Sequence, residues 1–126
     1  MEIKKWKDGE LFEVNGGHMR WVFWPGNGNN GLTLHYCILY PGESFQTHSH
    51  EYSEDVISVL KGKGKVLAAD GEIDVEEGQS VLARPKEIHG FKNTGNEPLI
   101  TLGSQAPADL ELYRMGQFGF GKMDKE

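Results

Sequence analysis

The chain holds one cysteine, Cys37, so it contains no intrachain disulfide, and this fits a reducing compartment. It has no apolar run near the roughly 20 residues that a membrane span needs. The opening residues, Met1-Glu-Ile-Lys-Lys-Trp6, lack the apolar stretch of a secretory signal. Lys and Arg total 13 against 19 Asp and Glu, a net charge of −6, and no basic cluster stands out. Nucleic acid and acidic membrane surfaces are therefore poor partners. There is no linker, no repeat and no low-complexity tract. A cytoplasmic protein of one domain, spanning residues 1–126, is expected.

Glycine is plentiful: 17 of 126 residues, with five prolines. That suits a turn-rich β architecture better than a helical bundle. Short β-like runs recur at 20–24, 32–40, 56–60, 65–69, 72–75, 80–83, 88–92 and 99–103. Turn residues such as Pro25 to Gly31 and Pro41-Gly42 lie between them. Asp70-Gly71 reads as a type I′ hairpin turn. A short helix is expected from Ala108 to Met115, and a loosely ordered tail over 116–126. Many short strands at this spacing predict an all-β sandwich or barrel.

Three histidines carry the chemistry. His48 and His50 sit in Gly42-Glu-Ser-Phe-Gln-Thr-His48-Ser-His50, and His89 sits in Arg84-Pro-Lys-Glu-Ile-His89. In a strand, side chains at i and i+2 leave the same face, about 6.5–7 Å apart. Two such imidazoles and a third from a neighbouring strand can share one metal ion, whose bonds to nitrogen are about 2.0–2.2 Å. Imidazole suits Fe, Ni, Cu and Zn, and a carboxylate adds preference for harder ions. Other positions are candidates for the surrounding pocket. Gln46 shares strand parity with His48, Phe91 with His89, and Ile57 with Asp55. His35 shares a face with Cys37, and Cys37 itself reads as a small buried hydrophobe.

These residues resemble the cupin family. Its first motif is a glycine, five residues, His-x-His, three or four residues, a glutamate, six residues and a glycine. Gly42, His48, His50 and Gly62 match it, with Asp55 at the glutamate position. Its second motif is a glycine, a histidine eleven residues on and an asparagine four later, matched by Gly78, His89 and Asn93. The chain departs from that motif at Arg84, with Pro85 one place late, and at Glu87 in place of glycine. The likeness covers about 32–104. It implies a double-stranded β-helix, or jelly roll, with a metal inside. It also implies three histidines and one carboxylate on Mn, Fe, Ni, Zn or a similar ion. Counting back from Gly62 selects Asp55 as the carboxylate; counting forward from His50 selects Glu54. A three-histidine site is a further alternative. Family habit implies a homodimer.

The resemblance extends to function only broadly. A metal-dependent dioxygenase, isomerase or lyase acting on a small acid or sugar derivative is one reading. A non-catalytic ligand-binding or sensor module is the other.

Overall fold

In a computed structural model, residues 1–14, 17–28 and 31–109 are described. Ten strands follow one another: β1 (Glu10–Val14), β2 (Gly17–Phe23), β3 (Thr33–Leu39), β4 (Ser44–His48), β5 (Glu54–Lys61), β6 (Lys63–Ala68), β7 (Gly71–Glu76), β8 (Ser80–Ala83), β9 (His89–Lys92) and β10 (Leu99–Ala106). Single 3-10 turns at Trp6–Asp8 and Pro25–Asn27 are the helical elements among the described residues. The strands form a six-stranded sheet, β1-β2-β3-β10-β5-β8, and a four-stranded sheet, β4-β9-β6-β7. Every pairing is antiparallel. This is the double-stranded β-helix, an all-β jelly roll. No described helix is long and apolar enough to cross a membrane.

Alternation along the strands explains how the sheets face each other. On β10, Leu99, Thr101, Gly103 and Gln105 are buried while their neighbours are half-buried or exposed. On β5, Asp55 and Val59 are buried and Glu54 and Val56 are exposed. Inward residues from both sheets meet in a core that includes Trp21, Leu39, Phe45, Val66, Phe91 and Leu99. Removing such apolar surface from water contributes about 25 cal/mol per Å². The outer hairpin face of Glu72, Asp74, Glu76 and Glu77 is solvated.

Two local readings are corrected. The β6–β7 hairpin loop is Ala69-Asp70, because Ala68 pairs with Gly71. Neither loop residue has positive φ, so the turn is not type I′; the unusual backbone falls on Gly71, at φ 144°. Ala108 and Asp109 follow β10 without helical structure. Residues 110–115 of the expected helix, and the tail at 116–126, lie outside the described residues. The single residue between β5 and β6 is Gly62, at φ 87°, where a Cβ would sit 2.5 Å from the Pro98 carbonyl oxygen. Only glycine meets both demands without strain.

Candidate metal centre

β4 ends at His48, and His50 follows in an irregular stretch before β5. His89 opens β9 and pairs with His48 across the four-stranded sheet. Asp55 lies on β5 in the opposite sheet, so the carboxylate and the imidazoles approach from facing walls. One donor atom from each of His48, His50, Asp55 and His89 lies within 4.8 Å of the others. The ring centroids of His48 and His89 are 4.5 Å apart, and those of His48 and His50 are 4.9 Å apart. Donors sharing one ion at about 2.0–2.2 Å are separated by at most about 4.4 Å, so a contraction of tenths of an ångström suffices.

Hydrogen bonds fix which nitrogen each ring presents. His48 Nδ1 lies 2.9 Å from the Gln46 carbonyl oxygen, and His89 Nδ1 lies 2.9 Å from that of Glu87. A carbonyl oxygen only accepts, so both Nδ1 atoms carry the proton. His50 Nδ1 lies 2.7 Å from Asp109 Oδ2, a carboxylate acceptor of the same kind. All three rings therefore turn Nε2 toward the centre. Asp55 Oδ2 stands there, 2.9 Å from His89 Nε2 and 3.1 Å from His50 Nε2. Gln105, wholly buried, braces the group: its Oε1 accepts from the Asp109 backbone N–H, and its Nε2 lies 3.3 Å from His50 Nε2. Three oriented imidazoles and one carboxylate are compatible with a metal site.

The electrostatics agree. Burial disfavours the Asp55 carboxylate, but His50 and His89 override it and hold the group well below the usual carboxylate range. Burial also opposes charge on His50, yet Asp55 and Asp109 raise its pKa. Burial lowers that of His48, against the pull of the Gln46 carbonyl.

A cavity of about 80 Å³ opens beside this cluster. His35, Ile57 and Phe91 line it, as do Met19, Trp21, Cys37 and Phe45. Burial pushes the Cys37 thiol up to about 12, consistent with a packing role. Gln46 lines the cavity too, together with His48. β4 carries a one-residue irregularity between Phe45 and His48, which pair with Phe91 and His89 of β9. Gln46 remains solvent-exposed. Glu54 is exposed on the outer face of β5, opposite to Asp55. Sequence reasoning missed Asp109 and Gln105. Gln105 had the signal of inward parity with Thr101 and Gly103; no spacing rule connects Asp109 to a histidine 59 residues earlier.

Comparison with known proteins places this geometry. Residues 35–103 match the cupin domain family. Glucose-6-phosphate isomerase of Pyrococcus abyssi is 36% identical over 107 aligned residues, covering 73% of this chain and 56% of that protein. The chain thus spans little more than half the length of that relative. Polyketide synthase CurC of Streptomyces cyaneus is 28% identical over 139 residues, covering 94% and 90%. Among solved structures, a predicted oxalate decarboxylase of Thermotoga maritima superposes with a TM-score of 0.74 at 21% identity, covering 85% of this chain and all of that one. It shares the fold. With the match extending over more than half of its residues, and across both histidine motifs, the chain belongs to the cupin family.

Proposed function

We propose that His48, His50, Asp55 and His89 hold one divalent transition-metal ion, and that the chain is a metal-dependent enzyme acting on a small organic molecule beside it. The observation that carries the reading is the orientation of the rings: each Nδ1–H is held by an oxygen, and the Nε2 atoms of His50 and His89 face the Asp55 carboxylate. A bound ion of this kind acts as a Lewis acid toward a carbonyl or enediol oxygen. Asp109 and the two backbone carbonyls hold the imidazoles in the tautomer that ligation requires. Phe45, Phe91 and Trp21 exclude water from the adjoining cavity. Gln105 offers a neutral amide donor at the same end.

Elemental analysis of purified protein tests this. Near one equivalent of Mn, Fe, Ni, Cu or Zn is expected in the native chain, with loss in His48→Ala and His89→Ala. Full occupancy in both variants defeats the assignment. Turnover of a panel of keto acids, hydroxy acids and sugar derivatives then tests catalysis. One observation favours a binding module instead. Outside the four donors, the cavity's titratable bases reduce to His35, whose pKa burial lowers to about 4, too low to work as a base at neutral pH. A metal-loaded protein that binds members of the panel without converting any would establish that second reading. A cytoplasmic homodimer belongs to the same proposal. Exposed Val56 and Leu82, paired across β5 and β8, support an apolar contact there, and light scattering reads the assembly.

A further inference from the structure

His35 is a buried polar side chain whose packing leaves a ring nitrogen unused. It lies on the inner face of β3, is 8% exposed, and lines the cavity. Among the described residues its Nε2 meets no hydrogen-bond partner. Its ring leans on Trp21, with centroids 5.6 Å apart, and tilted rather than stacked. A neutral imidazole carries one donor and one acceptor. Leaving one such group unpaired in an apolar wall costs about 1–3 kcal/mol, a cost that a leucine there would avoid.

The register places His35 away from the four donors. It pairs with Gly103 on β10, and Gly103 pairs with Ile57 on β5. Asp55 is two residues further along β5, toward Gln105. Two strand spacings, about 9–10 Å, therefore lie between β3 and β5. The wall between is Cys37, Ile57, Thr101 and Gly103, facing Phe45 and Phe91. Neither lysine nor arginine is among the described residues that line the cavity. A phosphate or a second carboxylate at the far end would enter a low-dielectric space without a counter-charge, which costs several kcal/mol.

We propose that the cavity takes a molecule with one oxygen function at the four-donor cluster, an apolar ring-sized body, and an uncharged hydroxyl or carbonyl at the far end, hydrogen-bonded to His35. Sugar phosphates and dicarboxylates are excluded by the same feature. The near end rests on the proposed metal centre; the far end rests on His35 and the apolar wall alone.

Three ligands of one shape test this: benzoate, 4-hydroxybenzoate and terephthalate. Each is titrated into the protein as isolated, by calorimetry, and into His35→Leu and His35→Gln. In the native protein 4-hydroxybenzoate is expected to bind about tenfold more tightly than benzoate. Terephthalate is expected to bind at least tenfold more weakly than benzoate. His35→Leu should erase the preference for the hydroxyl while benzoate affinity stays within twofold; His35→Gln, which retains hydrogen-bonding groups, should restore part of it. Circular dichroism confirms that both variants fold. The inference fails if terephthalate binds as well as 4-hydroxybenzoate, if the hydroxyl preference survives in His35→Leu, or if none of the three binds. Metal content of the same samples reads separately. Its absence removes the metal assignment, whereas the comparison of hydroxyl with hydrogen still reports on His35.

Discussion

His35 should leave a signature in stability as well as in binding. Burial holds its pKa near 4, against an ordinary imidazole value of 6.5. Between those values the unfolded chain binds a proton at this position and the native protein does not. Native stability therefore falls as pH drops from 6.5 to 4, and this contribution levels off below. The full loss corresponds to about 3 kcal/mol. Leucine, similar in volume and without a proton to bind, removes that loss. It also removes the unpaired Nε2, so His35→Leu should match or exceed the native protein by about 1 kcal/mol at pH 7. At pH 4 the gap should widen by about 3 kcal/mol more. Urea unfolding of both proteins at pH 7, 5.5 and 4, at matched metal content, gives the comparison. The donors at the metal cluster titrate in both proteins, so their effects largely cancel in the difference. A gap of the same size at all three pH values would refute the reasoning, since it would mean that position 35 is hydrated or paired. A variant more stable than its parent yet poorer at binding is the expected mark of a residue kept for a ligand.

Three other outcomes follow from the geometry. Asp55→Asn should lose most bound metal, whereas Glu54→Gln, altered on the exposed face of β5, should keep it; elemental analysis of the pair distinguishes the two carboxylates. Asp109→Asn should weaken metal binding by about 10- to 100-fold while leaving the fold intact, because His50 Nδ1 keeps only a neutral acceptor; competition with a fluorescent chelator measures it. Gly64→Ala should destabilise by more than about 2 kcal/mol, read in a thermal melt, because its Cβ would lie 2.3 Å from the Lys92 backbone oxygen and neither strand can yield.

The strands were legible wherever period-2 alternation and glycine punctuation coincided. β8 was read to the residue, and β3, β6, β7 and β9 to within two. β10 runs three residues past its expected end, since the polar Ser104 and Gln105 broke the apolar pattern that would have extended it. Gln105 is inward for a reason that hydrophobicity cannot express: it braces Asp109 and His50. β1 and β4 escape the pattern because Glu10–Val14 and Ser44–His48 mix polar and apolar residues without a clear period. Gln46 and His48 both line the cavity, although β4 is irregular between Phe45 and His48. An irregularity of one residue reverses every face assignment beyond it, and nothing in Phe45-Gln-Thr-His48 announces one. Parity served well on β5, whose pairing with β10 is regular from Glu54 to Val59, and there it separates Asp55 from Glu54.

Buried polar groups sort themselves by whether their bonds are made. Asn93, 1% exposed and part of the second histidine motif, spends its amide on backbone: Nδ2 donates to the Leu39 and Glu97 carbonyls, and Oδ1 accepts from the Gly95 N–H. Its place is structural, holding the β9–β10 turn against the end of β3. Thr33 Oγ1 has no partner among the described residues, but Thr33 does not line the cavity, so that cost has no ligand to relieve it. His35 combines an unpaired buried nitrogen with a position on the cavity wall. A satisfied polar group explains itself within the fold, and an unsatisfied one beside empty apolar space points to what enters that space. On this criterion the cluster of four donors and the lone imidazole two strands from Asp55 are two ends of a single site.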